Sequence, residues 1–525
     1  METKKGGKQT NDTTLNLKTS TNIFKDRTRF IMMVLLLLCL SSVWCNILSF
    51  NIGVLCMYPH RSGNGSLTEL EIQLAQQSDA KPHKPDDPHV IGFFQKRIIW
   101  YTPSDKSKLI AAVAFGALVA NMPIVWLTSR YQIRTTFGIL GLLSGIATLM
   151  IPTAARLGIN YFLAIRAIQG VAFAANFCVI GSFTTKWTYF KQNGMFVSAL
   201  VAHFQLAPAI TMPVGGYLCS AYGWPSVYYA HGLVSVLLFM TKIIVYRNSP
   251  NKHPFVSDVE LNKIRVGKEI VTKNEQRQIP YKRILKTWSV WAVWIAAFGN
   301  FACANLMFLY APTFLHAVLG FHVEHTGVTS AIPPLLQFAT KLGCGVASDK
   351  IRNVKESVKV KVFNSIAFFG SAASLVILGL TVSSYNFISI CCLVVSIGFL
   401  GLTTGGFFKS GPIIARHYAP FVTGNIAYGI TITMLLIPFM VSSLAPDNTG
   451  PQWRMVFFVT AGILIATNIF FVVFGSASVC SWAMSNSAQN SQMNVTKFVF
   501  NKAKVGPAGT IQADTNVRQK AIDKF

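Results

Sequence analysis

Gly345-Val-Ala-Ser-Asp349-Lys350 and, 220 residues earlier, Val125-Trp-Leu-Thr-Ser129-Arg130 are the two stretches on which the fold turns. Each ends one apolar run of membrane length and precedes another, so each reads as a short polar connection between two membrane helices. Their partial match at that distance points to a duplicated unit. The expectation is tested by the runs on either side.

Apolar runs lie at about 30–57, 107–127, 137–154, 160–183, 194–218 and 226–245, then at about 288–314, 325–347, 362–382, 385–408, 418–441 and 454–476. At about 1.5 Å per residue, each crosses a hydrocarbon core of roughly 30 Å. Spans four, five and six recur as ten, eleven and twelve at an offset of about 220–230 residues. The expected fold class is an all-α polytopic membrane protein, with twelve transmembrane helices in two pseudo-symmetric six-helix bundles. The expected domains are a cytosolic tail (1–29), an N-terminal half (30–245) with a long loop at 59–106, and a cytosolic central loop (246–287). A C-terminal half (288–476) and a C-terminal cytosolic tail (477–525) complete them. The first run is too long for a signal peptide and has no convincing cleavage site, so it reads as a signal-anchor.

Composition agrees with this reading. Asp, Glu, Lys and Arg make up 12% of the 525 residues, about half the share in a soluble domain. The net charge of +27 raises the question of a nucleic-acid partner. Its cations, however, sit in connections between apolar runs and not on one face of a compact domain. Lipid bilayer, not nucleic acid, is therefore the expected surroundings.

Arg130, Arg134, Lys186, Lys191, the central segment, Lys350 and Lys409 all fall on one side of an alternating topology, and the opposite loops are nearly bare of Lys and Arg apart from the long loop 59–106, where basic and acidic residues balance. The positive-inside rule then puts both termini in the cytosol. Of the sequons at Asn11, Asn64 and Asn494, that topology exposes only Asn64 to glycosylation. The ten cysteines lie in or beside apolar runs and are expected to be small packing residues. No phosphate-cradling Gly-rich motif and no metal-ligand spacing occurs. Neither an enzyme, an ATP-driven pump, a cofactor nor a metal site is expected.

The nineteen acidic residues all fall in tails, loops or helix ends, whereas Arg166, His203, His231 and Lys341 fall inside spans. A charge at mid-membrane costs about 2.5–3.5 kcal/mol on insertion scales. Cations without fixed counter-charges are therefore expected to meet an anion that comes and goes. The competing reading is that they snorkel or bond backbone carbonyls. Arg166 is the first candidate for substrate binding because it does not deprotonate. His203 is either a proton carrier or a packing residue, and Lys341 either a latch, a snorkelling cation or a substrate contact. Asn176, Gln205 and Asn305 add uncharged polarity that lines a path or bonds neighbouring helices.

The Gly-x-x-x-Asp-Lys stretch resembles the short-loop signature of the major facilitator superfamily. Its earlier copy is degraded, with Ser129 in the acidic position. IPTAAR from Ile151, RAIQG from Arg166, MPVGGYLCSAYGWPSVYY from Met212 and FGSASVCSWA from Phe474 narrow the resemblance. In that order they are similar to the anion:cation symporter branch, which includes sialin, the vesicular glutamate transporters and the sodium–phosphate cotransporters. The resemblance runs over roughly residues 28–484.

It implies the major facilitator fold and a rocking transporter of small organic or inorganic anions, coupled to protons, sodium or membrane potential. It assigns Arg166 to anion binding or gating, and Arg130, Asp349 and Lys350 to the cytosolic gate; Lys341, about two turns inside Asp349, is a gating candidate by position alone. Phe173, Ser49 and Asn300 stand where relatives carry charged residues, which points away from glutamate and from carboxylate-based proton coupling. A potential-driven uniporter and a non-transporting sensor are the rival functions. A monomer in the plasma membrane or an endolysosomal membrane is expected.

Overall fold

The computed structural model describes residues 27–57, 101–188, 193–265, 280–351, 353–382 and 386–483. Among these residues the chain forms only α-helices and short 3-10 turns. Eleven segments are long and apolar enough to cross a membrane. The twelfth long helix, Val323–Lys350, is more polar, with Glu324 in its first turn and Lys350 in its last. It is held among the other spans by packing on spans five and ten.

Each half repeats one packing scheme. Span one (Thr28–Gly53) lies on spans five and six, and span seven (Trp288–Ala317) lies on spans eleven and twelve in the same way. The halves meet where span five (His203–Tyr222) packs on span eight and span eleven (Ile426–Leu444) packs on span two. Exchanging the halves converts one contact into the other, as a pseudo-two-fold axis requires. Small residues permit this closeness. A Cβ at Gly170 of span four would sit 1.9 Å from the Val113 carbonyl oxygen of span two, and one at Gly327 of span eight would sit 2.4 Å from that of Met212 in span five. In lipid, where helices gain little hydrophobic energy by associating, such backbone approach supplies much of the packing energy.

Three features differ from the sequence expectation. Helical bonding does not lapse between spans two and three: Pro103–Leu157 is helical throughout. The chain nevertheless folds back, because Leu109 and Thr148 both meet the network joining spans one and four. Spans four and five are each interrupted instead, span four at Ala174–Ala175 between Ile159–Phe173 and Asn176–Trp187, and span five at Ala202. Cys56 and Cys219 form a disulfide with Cα atoms 6.2 Å apart, which corrects the reading of all ten cysteines as packing residues. Span one and span five end side by side there, so two cysteines 163 residues apart become neighbours.

Segments assigned to loops and tail also dock. The helix Asp258–Arg265 carries Glu260, wholly buried, whose carboxylate accepts from the Thr28 and Arg29 amides at 3.2 and 3.0 Å. These amides open span one and have no partner within their own helix. Thr28 Oγ1 donates back to the Phe255 carbonyl at 2.8 Å. After span twelve, the Ser476 carbonyl accepts from Ser410 Oγ, the Ala477 amide donates to Ser357 Oγ, and Trp482 Nε1 donates to Thr287 Oγ1. The FGSASVCSWA stretch therefore packs on the C-terminal half and does not trail as a tail. The turns at the opposite end are tight, with Gly158 and Gly223 at φ of 132° and 83°, a backbone region that side chains disfavour.

Candidate functional site

Arg166 lies on the inner face of span four at 0% exposure. Its Nε donates to the Leu109 carbonyl at 3.1 Å, and its Nη1 donates to the Ile47 carbonyl at 3.1 Å and to Gln169 Oε1 at 2.8 Å. The guanidinium stacks 4.7 Å from the Phe50 ring centroid. All these acceptors are neutral, and Nη2 has no hydrogen-bond partner. The buried Tyr228 hydroxyl, also unpartnered, lies within electrostatic reach. Buried cations are normally paired with anions, so this side chain is solvated by its own helices and still short of one acceptor.

A polar network that sequence reading missed steadies Arg166. Gln169 Nε2 donates to the Asn46 carbonyl at 3.0 Å and to Thr148 Oγ1 at 2.7 Å. Asn46 Nδ2 donates to Ser144 and Ser235 hydroxyls at 3.1 and 3.0 Å. Spans one, three, four and six are thereby tied at one level. The available signal was Asn46, an amide inside a long apolar run.

The other expected residues divide into separate groups. His203 Nδ1 meets the Leu200 carbonyl at 2.8 Å, and its Nε2 meets Asn176 Nδ2 at 3.4 Å. A carbonyl only accepts, so the proton belongs on Nδ1 and the amide donates to Nε2. Both nitrogens of a neutral ring are thus satisfied. Gln205 lies at the junction of the halves: its Nε2 donates to Gln337 Oε1 of span eight at 3.0 Å, and Lys341 Nζ donates to its Oε1 at 3.4 Å. Asn305 instead joins spans seven and eleven through the Ile430 carbonyl and Thr433 Oγ1 at 3.1 and 2.9 Å. Arg166 shares no hydrogen bond with any of these.

Phe173 belongs to an aromatic cluster centred on Phe204. Its ring is 5.0 Å from Trp44 and 6.2 Å from Phe204. Phe204 then reaches Phe301 at 6.5 Å, Phe301 reaches Phe408 at 6.3 Å, and Lys341 Nζ lies 5.7 Å from the Phe408 ring. Aromatic side chains thus join the two halves beside Phe173. Ser49 and Asn300 are buried, and the Ser49 hydroxyl donates to the Asn46 carbonyl of its own helix.

Of the residues expected at a cytosolic gate, the side chains of Arg130 and Asp349 lie outside the described residues, as does the sequon Asn64, and Lys350 is exposed. The ion pairs seen beside it involve Glu356, which takes Lys359 and also Lys409 Nζ at 3.5 Å. Lys409 further donates to Ser348 Oγ at 2.9 Å, joining spans eight, nine and ten.

The family model described as Major Facilitator Superfamily matches residues 87–424, well over half the chain. The chain belongs to the major facilitator superfamily. Within it, this transporter is 27% identical to human sialin over 384 residues, 72% of this chain and 77% of that one. It is also 27% identical to sodium-dependent phosphate transport protein 1 of Mus musculus over 392 residues, 73% of this chain and 83% of that one. The xylose transporter of E. coli, in a partially occluded inward-open conformation, shares the fold with a TM-score of 0.58. That match covers 86% of this chain and 99% of the other at 12% identity. The chain is a divergent member of the sialin and phosphate-transporter branch, as its four sequence stretches implied.

Proposed function

We propose that this facilitator is a secondary active transporter of small organic or inorganic anions, working by alternating access and driven by a proton, sodium or voltage gradient. The observation that carries the reading is Arg166, a buried guanidinium that meets no carboxylate and keeps Nη2 unpaired. An anion oxygen arriving there completes its hydrogen bonding and supplies the missing charge. The phosphate for which sodium-dependent phosphate transport protein 1 of Mus musculus is named is an anion of this kind. Gln205 and Lys341 join the halves where rocking has to break contacts, so they are assigned to the path and the gate, with Arg130, Asp349 and Lys350 beside them. His203 and Asn176 line the same path as a neutral pair, and Asn305 stabilises the opposite wall.

Both termini are assigned to the cytosol, from the charge asymmetry of the connections. The Cys56–Cys219 disulfide supports this, because it lies at the opposite end, where an oxidising compartment belongs. Phe173 favours one second reading. With an aromatic cluster in place of a proton-carrying carboxylate, the driving force is the membrane potential.

Radiolabelled anion uptake into proteoliposomes tests both readings, using carboxylates, phosphate and chloride under imposed pH, sodium and voltage gradients. Saturable uptake of one anion is expected. Uptake that voltage alone drives selects the uniporter. An Arg166→Ala protein that reconstitutes and transports at the wild-type rate refutes the role of Arg166.

A further inference from the structure

At the end of the N-terminal half where span one begins, a cavity of about 480 Å3 is lined by Arg134, Lys186, Arg247, Asn248, Ser249 and Lys252. Small-molecule sites occupy roughly 300–1,000 Å3. Four of the six lining residues are cations, and none is acidic. The two arginines are anchored through neutral acceptors. Arg134 Nε and Nη2 donate to the Ile243 carbonyl at 3.0 and 2.8 Å, and Arg247 Nη1 donates to the Ile244 carbonyl at 2.7 Å.

The wall is hydrogen-bonded as well as basic. Asn248 Oδ1 accepts from the Arg134 amide at 2.9 Å, and Trp187 Nε1 donates to the Arg247 carbonyl at 3.2 Å. Behind them, the buried Lys242 Nζ donates to the Ile133 and Arg134 carbonyls at 3.0 and 2.9 Å. None of Arg134, Arg247, Lys242 and Lys252 is in an ion pair with a described residue. Gathering like charges in one cavity is unfavourable unless a counter-charge joins them. The Asn248 amide and Ser249 hydroxyl add neutral groups suited to orienting oxygens.

We infer that this cavity binds a polyphosphorylated ligand, separate from the transported anion, through Arg134, Lys186, Arg247 and Lys252. Several phosphate oxygens match two guanidinium and two ammonium groups better than a single carboxylate does. Two sources carry this chemistry: the headgroup of a phosphorylated lipid in the adjoining leaflet, and a soluble polyphosphate. Basic pockets where helices leave the cytosolic side of a membrane are suited to the first. The inference rests on the transporter reading only for which leaflet supplies the lipid. Detergent solution has no sidedness, so binding measured there is independent of both topology and uptake.

The test uses the purified full chain in detergent, titrated with dioctanoyl phosphatidylinositol bisphosphate and, separately, with inositol trisphosphate. Lys186 and Lys252 are exposed, so Lys186→Gln with Lys252→Gln is expected to leave the fold intact. Lys282→Gln with Lys286→Gln removes two exposed cations elsewhere and controls for general attraction to a chain of net charge +27. The cavity pair is expected to weaken binding about tenfold or more, and the control pair less than about twofold. Binding of the lipid probe alone assigns the site to a headgroup, and comparable binding of both assigns it to a soluble polyphosphate. Binding of neither probe, or equal weakening by the two variant pairs, overturns the inference.

Discussion

Glu260 reaches across 232 residues to hold the first turn of span one, so Glu260→Gln isolates the strength of that tie. In the wild type, each carboxylate oxygen takes one amide, Oε2 from Thr28 and Oε1 from Arg29. Glutamine keeps one acceptor and presents an NH2 group to the other amide. The variant loses one hydrogen bond to a charged group, about 1.5–3 kcal/mol. It also loses a negative charge at a helix N-terminus, about 0.3–1 kcal/mol. The bond that remains becomes neutral. Local opening should become easier by roughly 2–3 kcal/mol, and the amides of Thr28 and Arg29 should exchange with deuterium roughly 30- to 150-fold faster. Exchange in the loop helix Asp258–Arg265 should rise with them, while amides in span seven stay unchanged. Hydrogen exchange with mass spectrometry on the detergent-solubilised chain reads all three regions. A change of less than threefold at Thr28 and Arg29 would falsify the capping assignment.

Four further outcomes follow from other parts of the molecule. Arg166→Lys keeps the charge but cannot serve Leu109, Ile47 and Gln169 with the same geometry; each buried acceptor left unpaired costs about 1–3 kcal/mol, so thermal stability and uptake should both fall, as differential scanning and proteoliposome flux will show. Phe173→Glu puts a carboxyl among Trp44 and Phe204 with no partner there, a costly burial. Its melting temperature should fall by several degrees; an unchanged melting temperature contradicts the packing described. Gly170→Val forces side-chain atoms against the Val113 carbonyl and should abolish monodisperse expression, whereas Gly181→Ala, with nothing within 4 Å of the added carbon, should elute normally. Asn64→Gln should remove a glycan detectable as an electrophoretic shift, and Asn11→Gln and Asn494→Gln should not.

Membrane spans were legible because hydrocarbon thickness fixes their length and penalises charge inside them, so twelve apolar runs sufficed. The repeat was legible for a related reason, since two halves under one packing scheme keep small and polar residues at matching distances. Long-range pairing left no such trace. Nothing around Cys56 distinguishes a disulfide cysteine from Cys39 or Cys45 in the same span, and nothing around Glu260 announces a cap for a helix begun 232 residues earlier. Arg166 was identifiable as a cation within a span, but its acceptors are the carbonyls of Leu109 and Ile47, and every residue has a carbonyl. Gln337 was passed over beside Lys341, although the two reach the same glutamine. Helical bonding through residues 125–134 was hidden because polar connections and helical turns share a composition there.

The Cys56–Cys219 bond has a consequence for a cut chain. It closes a loop of 163 residues that includes spans two, three and four and the whole stretch between Met57 and Tyr101. A protease that severs that stretch separates span one from the rest of the sequence only on paper. The short N-terminal fragment stays covalently attached through span five, migrates with the long one on a non-reducing gel, and departs when a thiol is added. The nicked protein therefore keeps its first helix, and a single break there does not by itself dismantle the N-terminal half.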